Sequence, residues 1–214
     1  MDHDEFVRIL LSDERKKWQD PLKISKAMGV KRGMTVADLA CGPGFFTLPL
    51  ASLVGYSGIV YAVDANPTML GHLRAMIATS DAQSKTTRVI QPDVSNTGIP
   101  SDSVDVALFA NVLHDIEDKK TFLTEVKRIC RPGAAVVDID WRKVKTEMGP
   151  PFEIRLTEAE SRNILAASGL HITKSIDAGP HHYGLVCRER PLTASRAEPT
   201  RRASSGRALR ARQS

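Results

Sequence analysis

Thr35-Val36-Ala37-Asp38-Leu39-Ala40-Cys41-Gly42-Pro43-Gly44-Phe45-Phe46-Thr47 decides how this chain is read. The stretch opens as an apolar run of strand character and closes on a glycine pair, which permits a tight turn and lets a ligand approach the backbone closely. A dinucleotide fingerprint would need a third glycine at position 47, where the chain carries Thr47. A phosphate-binding P-loop would need a lysine, and none follows. An acid at the end of the strand, Asp38, makes sense beside a cationic ligand group and poor sense beside a pyrophosphate.

Working outward, further short apolar runs occur at 59–64, 88–90, 104–110 and 134–139, with amphipathic stretches between them. That alternation predicts an α/β domain with a mostly parallel sheet flanked by helices. From 67 to about 79, Met69, Leu70, Leu73, Met76 and Ile77 fall on one helical face, with Asn66 as cap and Pro67 in the first turn. Phe122, Val126 and Ile129 define a second helix over 119–129, ended by Arg131-Pro132-Gly133. Thr157 and Glu160 form a capping box for a helix through Ser168, with Gly169 at its end. Segments 171–176 and 182–187 are expected to make a final antiparallel pair, and two helices, 6–18 and 21–28, are expected before residue 34, broken at Asp20-Pro21.

A chain of 214 residues with 42% hydrophobic composition buries one sizeable core, so the expectation is one domain over 1–190: N-terminal helices to 33, then the α/β core over 34–190. Cys41, Cys130 and Cys187 lie far apart with no zinc-ligand spacing, so neither disulfides nor a metal site is expected. The charged N-terminus and the lack of a long apolar run lead to the expectation of a cytoplasmic protein with no membrane association. The net charge of +5 comes entirely from residues 191–214, where six arginines face one acid. That Arg-, Ser- and Ala-rich stretch has no aromatics and is expected to be a disordered tail, either a solvated appendage or a tether for an acidic partner such as nucleic acid.

Asp38-x-Ala40-x-Gly42-x-Gly44 resembles the acidic, glycine-rich first motif of class I S-adenosylmethionine-dependent methyltransferases, in particular the type 11, ubiquinone/menaquinone methyltransferase-like group. Val63-Asp64, Gln91-Pro92-Asp93-Val94, 104–111 and the segment 123–133 are similar to the later motifs in the same order. The resemblance implies a Rossmann-like three-layer sandwich, a seven-stranded sheet with an antiparallel final strand, and S-adenosyl-L-methionine as cofactor. It implies that Asp38, Ala40, Gly42, Gly44, Asp64, Ala65, Met69, Asp93, Val94 and Asn111 bind the cofactor, with Asp38 near its cationic methionine end, Asp64 accepting from both ribose hydroxyls and Asp93 taking the exocyclic amine of the adenine. Where the family more often has glycine this chain has Ala40, whose methyl is expected to crowd the methionine end. Each residue also has a plain structural reading: a turn for the glycines and Asp93, a helix cap for Asp64 and Asn111.

Methyl transfer from a sulfonium mainly requires alignment and exclusion of water. If the acceptor must lose a proton, His114 is the candidate base, against the alternative that it only hydrogen-bonds in the pocket wall. Asp115 is read as orienting His114 or, in preference, capping the following helix, His181 and His182 beside Tyr183 as lining the acceptor side or, in preference, forming a solvated strand edge, and Asp140-Trp141 as part of the substrate mouth, with core packing the alternative for Trp141. The fourth motif lacks the Asn/Asp-Pro-Pro-Tyr/Phe signature of amino-group methylation on adenine or glutamine and the Pro-Cys nucleophile used on cytosine carbon, and its resemblance to small-molecule enzymes favours a small-molecule acceptor. Arsenite is disfavoured because only Cys187 is free to serve as a ligand. The protein is expected as a monomer or homodimer. The rival readings are a nucleic-acid methyltransferase tethered by the basic tail and a non-catalytic cofactor-binding module.

Overall fold

The computed structural model describes residues 3–91 and 96–189. One sheet is formed by β1 (Thr35–Leu39), β2 (Ile59–Val63), β3 (Thr87–Ile90), β4 (Val104–Ala110), β5 (Cys130–Trp141), β6 (Leu170–Ile176) and β7 (His182–Glu189). Their order is β3-β2-β1-β4-β5-β7-β6. The first five run parallel, and β7 lies antiparallel between β5 and β6. The order reverses at β1 and β4, the switch point at which open α/β sheets bind ligands beyond the carboxyl ends of their strands.

The helices are α1 (His3–Leu10), α2 (Asp13–Trp18), α3 (Pro21–Ala27), α4 (Thr47–Val54), α5 (Pro67–Ala78), α6 (Asp81–Thr86), α7 (Lys119–Ile129) and α8 (Glu158–Ala167). Strand alternation sends Leu39, Phe109, Val136 and Leu185 to the face covered by α7 and α8, through Phe122, Val126 and Leu165. Val36, Leu108, Val137 and Val186 go to the other face, against Ile24 of α3 and Leu50 and Val54 of α4. The result is the three-layer sandwich the resemblance implied.

Local chemistry sets the element ends. Asn66 Oδ1 accepts from Thr68 N and Met69 N at the start of α5, and Thr157 and Glu160 make the reciprocal capping box of α8. Gly169 follows α8 at φ +82, a conformation that favours glycine. The single helix expected over 6–18 is two: the chain breaks at Leu11-Ser12, and Ser12 accepts from Arg15 N to start α2. The Arg131-Pro132-Gly133 segment does end α7, but β5 begins at Cys130 and absorbs the three residues in a register shift against β4.

Two carboxylates brace the framework. Asp105 accepts from Thr35 N (2.8 Å) and from Arg131 Nη1 (2.7 Å), joining the starts of β1, β4 and β5. Glu125 of α7 accepts from the Thr97 N–H and hydroxyl while Arg128 beside it reaches the Ile99 carbonyl, clamping the approach to β4. The Arg128 guanidinium holds the Glu125 carboxyl down at about 2 against the cost of its burial, with the Thr97 bonds assisting. Among the described residues no helix is long and apolar enough to cross a membrane. The 191–214 tail expectation lies outside the described residues.

Candidate active site

The cofactor loop leaves β1 at Leu39 and turns back into α4 at Thr47. The turn is built from left-handed backbone, with φ +57 at Ala40, +55 at Gly42 and +98 at Gly44. Ala40 is therefore a non-glycine in a glycine conformation, which costs about 1–2 kcal/mol. Glycine suits this position for its backbone, a reason separate from crowding of the methionine end. A Cβ on Gly44 would stand 2.5 Å from Leu73 Cδ1, whereas Gly42 has nothing within 4 Å of that direction and presents open space.

Asp64, at the end of β2, organises the loop. Its Oδ2 accepts from Gly42 N (2.7 Å) and its Oδ1 from Asn66 N (2.8 Å), so one carboxylate ties the glycine turn to the cap of α5. A carboxylate has about four acceptor sites, so each oxygen retains one for a ligand hydroxyl. Asp38 is buried below the loop and accepts from the Thr47 hydroxyl at 2.6 Å. Burial pushes its carboxyl up to about 7, the Thr47 hydrogen bond opposes this, and the charge of Asp64 adds to it. A cation arriving at the loop would stabilise the ionised form.

On the neighbouring strand, Asn111 leaves β4 at φ +61 and its N–H donates to the Ile139 carbonyl at 2.7 Å. Its side-chain Oδ1 is buried with no hydrogen-bond partner, an acceptor facing no donor of this chain. Ala65 is exposed and Met69 is buried on α5 just past the Asp64 turn. Asp93 and Val94 lie outside the described residues.

His114 follows in the turn after β4. Its Nδ1 is 2.7 Å from Asp140 Oδ1 on β5, and its own N–H donates to Asp140 Oδ2 at 3.2 Å. Nε2 stands 3.3 Å from Asp115 Oδ2, and the Asp115 side chain is 60% exposed while that of His114 is 3%. Burial opposes protonation, but the hydrogen bond and charge of Asp140, with Asp115 assisting, raise the imidazole above its ordinary value. Asp115 is not the cap of α7: Asp118 is, accepting from Thr121 N. Asp138, two residues before Asp140 on the same face, takes the Ser161 hydroxyl, and burial foremost, then the charge of Asp140, pushes its carboxyl well up.

The strand-edge expectation for His182 and Tyr183 is overturned, because β7 sits between two strands and both side chains are buried. His182 stacks on Trp18 of α2 (centroids 5.7 Å apart) and packs 4.2 Å from Trp141, with His181 at 5.4 Å from Trp18. Its burial holds the imidazole down to about 3. Trp141 also carries Arg155 over its ring at 5.2 Å. Arg155 is buried and donates to the carbonyls of Pro150, Arg142, Val144 and Met148, fixing the 142–156 segment beside the ends of β5 and β7. Neither the Arg155 anchor nor the His114–Asp140 pair was named from the sequence. All three cysteines have raised thiols, Cys130 and Cys187 to about 12, each chiefly through burial. A cleft of about 490 Å³ lined by Met28, Arg131, Lys174 and Arg188 opens at the N-terminal ends of β4 and β5, the opposite end of the sheet from this chemistry.

Sheet order, an acidic glycine loop at the switch point and a second acid after β2 are the arrangement expected from the resemblance to class I S-adenosylmethionine-dependent methyltransferases. The comparisons agree: the methyltransferase domain family described as Methyltransf_11 matches residues 37–137. A solved S-adenosylmethionine-dependent methyltransferase from Aquifex aeolicus is 29% identical, with TM-score 0.80 over 87% of this chain and 98% of that one. Demethylmenaquinone methyltransferase of Lactococcus lactis is 30% identical over 139 residues, 65% of this chain and 54% of the relative. Its Staphylococcus aureus counterpart is 26% identical over 138 residues, 64% and 55% respectively. The chain spans about half the length of these curated relatives. The chain is thus similar to S-adenosylmethionine-dependent methyltransferases, a similarity that implies S-adenosyl-L-methionine as its cofactor.

Proposed function

We propose that the protein methylates a small-molecule acceptor by direct in-line transfer, with His114 receiving the acceptor's proton. The observation that carries this is the buried His114–Asp140 pair at 2.7 Å, one turn past Asn111 at the ends of β4 and β5. When bound, S-adenosylmethionine supplies a methyl group already activated by its sulfonium. The chain's residues do the rest. Asp64 offers its remaining acceptor sites to the ribose hydroxyls, Asp38 and the Ala40–Gly44 backbone face the methionine end, and the Asn111 Oδ1 is free to accept a bond from the ligand. Ala65 and Met69 border the ribose, and Asp93 and Val94 are assigned to the adenine.

Asp140 holds a proton on His114 Nδ1, which leaves Nε2 as the basic atom. The exposed Asp115 carboxylate swings aside to admit a hydroxyl there, and the segment anchored by Arg155 excludes water from above. Acceptors with an acidic aromatic hydroxyl fit this demand, and the similarity to demethylmenaquinone methyltransferases supports that class. We place the domain over residues 1–190 and the protein in the cytoplasm, as monomer or homodimer.

The test is transfer of labelled methyl from S-adenosylmethionine to a short-chain, reduced demethylnaphthoquinone, with total RNA as the competing acceptor. Label on the quinol is expected, with His114→Asn slowing transfer about 10²- to 10⁴-fold. Because the neutral imidazole is the base and its protonation is favoured, the wild-type rate should climb with pH through a value above 6.5. Label on RNA instead, or a pH profile that His114→Asn leaves unchanged, would sink the assignment.

A further inference from the structure

Arg15 occupies an unusual position on α2. Its guanidinium lies 3.7 Å above the ring of Phe45, the residue that follows Gly44 in the cofactor loop. Nε and Nη2 donate to Gln19 Oε1 (3.0 and 2.9 Å) and Nη1 to the Leu10 carbonyl (2.9 Å). Those acceptors are neutral, and no carboxylate forms an ion pair with Arg15 among the described residues. A guanidinium has five N–H donors, so two remain unspent. Arg15 is partly buried, and that burial, with no facing carboxylate, pulls its protonation down to about 10.

The neighbours add unpartnered polar atoms and no anion. Gln19 is fully buried; because its Oε1 is fixed by two bonds from Arg15, the amide orientation is set, and the Nε2 is left with no partner. His182, whose protonation the charge of Arg15 opposes, is a neutral ring with both nitrogens unpartnered. Arg155 is the contrast within the same fold: its guanidinium is spent on four backbone carbonyls. A partly buried cation with spare donors, an orphaned amide N–H and no anion describes half of an anion site.

We infer that Arg15, with the Gln19 amide beside it, binds the carboxylate of the cofactor's methionine end. The inference rests on the cofactor reading above and deepens it, since the stack on Phe45 places the cation at the loop assigned to that end of the ligand. Asp38 below the loop would then meet the ammonium and Arg15 above it the carboxylate, which fixes the direction of the amino acid group.

Calorimetry with three ligands separates this contact from a general role in folding. S-adenosylhomocysteine carries the carboxylate, its decarboxylated amine analogue lacks only that group, and 5′-methylthioadenosine lacks the whole amino acid end. Arg15→Met should weaken S-adenosylhomocysteine about 10- to 100-fold, leave the other two within about twofold, and abolish the preference for the carboxylated ligand. Arg15→Lys should restore part of that preference, because a point charge replaces the planar fork. Equal weakening of all three ligands would assign Arg15 to holding α2 in place, and unchanged S-adenosylhomocysteine affinity would remove it from the site; either overturns the inference while leaving the cofactor reading standing. Failure of the wild type to bind any of the three would instead strike the cofactor reading itself, and the inference with it.

Discussion

Asp64→Ala tests the centre of the site, because one carboxylate has two tasks that the substitution removes together. Towards the protein it accepts the Gly42 and Asn66 N–H groups at 2.7 and 2.8 Å. Both donors lie near solvent, so water replaces the lost acceptor and the unbound fold should lose only about 1 kcal/mol. Towards the ligand, on the proposed reading, it offers one acceptor site per oxygen to the two ribose hydroxyls. Hydrogen bonds to a charged group contribute about 1.5–3 kcal/mol each, and the half-exposed position favours the lower end, giving about 2–4 kcal/mol in all. That is a rise of about 30- to 1,000-fold in the dissociation constant for S-adenosylhomocysteine. Calorimetry measures it, with thermal melting of the unbound protein as the control. A 2′-deoxyribose analogue sharpens the test: the wild type should discriminate against it and Asp64→Ala should not. Affinity within twofold of wild type in a folded variant, or equal discrimination by both proteins, would show that Asp64 only shapes the turn.

Gly44→Ala should destabilise the fold by about 1–3 kcal/mol and lower the melting temperature by several degrees, since its Cβ meets Leu73 at 2.5 Å at φ +98; Gly42→Ala, with open space and φ +55, should cost less. Equal effects in melting experiments would mean that Leu73 yields freely. Asp38 has a folded value raised from 3.8 to about 7, so its contribution to stability is present below about pH 4 and is lost as pH rises towards 7. Asp38→Asn should flatten that part of the stability curve, and cofactor binding near pH 6 should release protons, measured as a dependence of binding heat on buffer ionisation; a pH-independent binding heat in every buffer would contradict contact between Asp38 and a cationic ligand group.

The regularity of the core made much of the fold readable. β1 and β4 are buried on both faces, so their apolar runs, 35–39 and 104–110, carry their own boundaries. The ends of α7 coincide with the periodic residues 119–129 because Asp118 caps one end and β5 begins at Cys130 directly after the other. α6, Asp81-Ala82-Gln83-Ser84-Lys85-Thr86, has no apolar stripe and could not be seen by period. The break between α1 and α2 carried a signal, Ser12 before two acids, but the apolar positions run across it. In the site, the glycine turn was legible because left-handed backbone demands a residue type, whereas the His114–Asp140 pair joins residues 26 apart through the parallel β4–β5 register. Asp64 was placed at the right strand end, but its backbone bonds to Gly42 and Asn66 depend on the β1–β2 pairing and have no pattern in one dimension.

On the proposed reading, in which the segment held by Arg155 walls the acceptor side, the four carbonyls it gathers bear on how selective the protein is towards acceptors. The ordering entropy of that stretch is lost when the chain folds, before any acceptor arrives. Its contour is therefore preformed, and a molecule of the wrong outline meets a wall that does not remodel. Discrimination between acceptors falls to shape and to the placement of a few polar atoms, with little of the plasticity that lets a soft loop accommodate strangers.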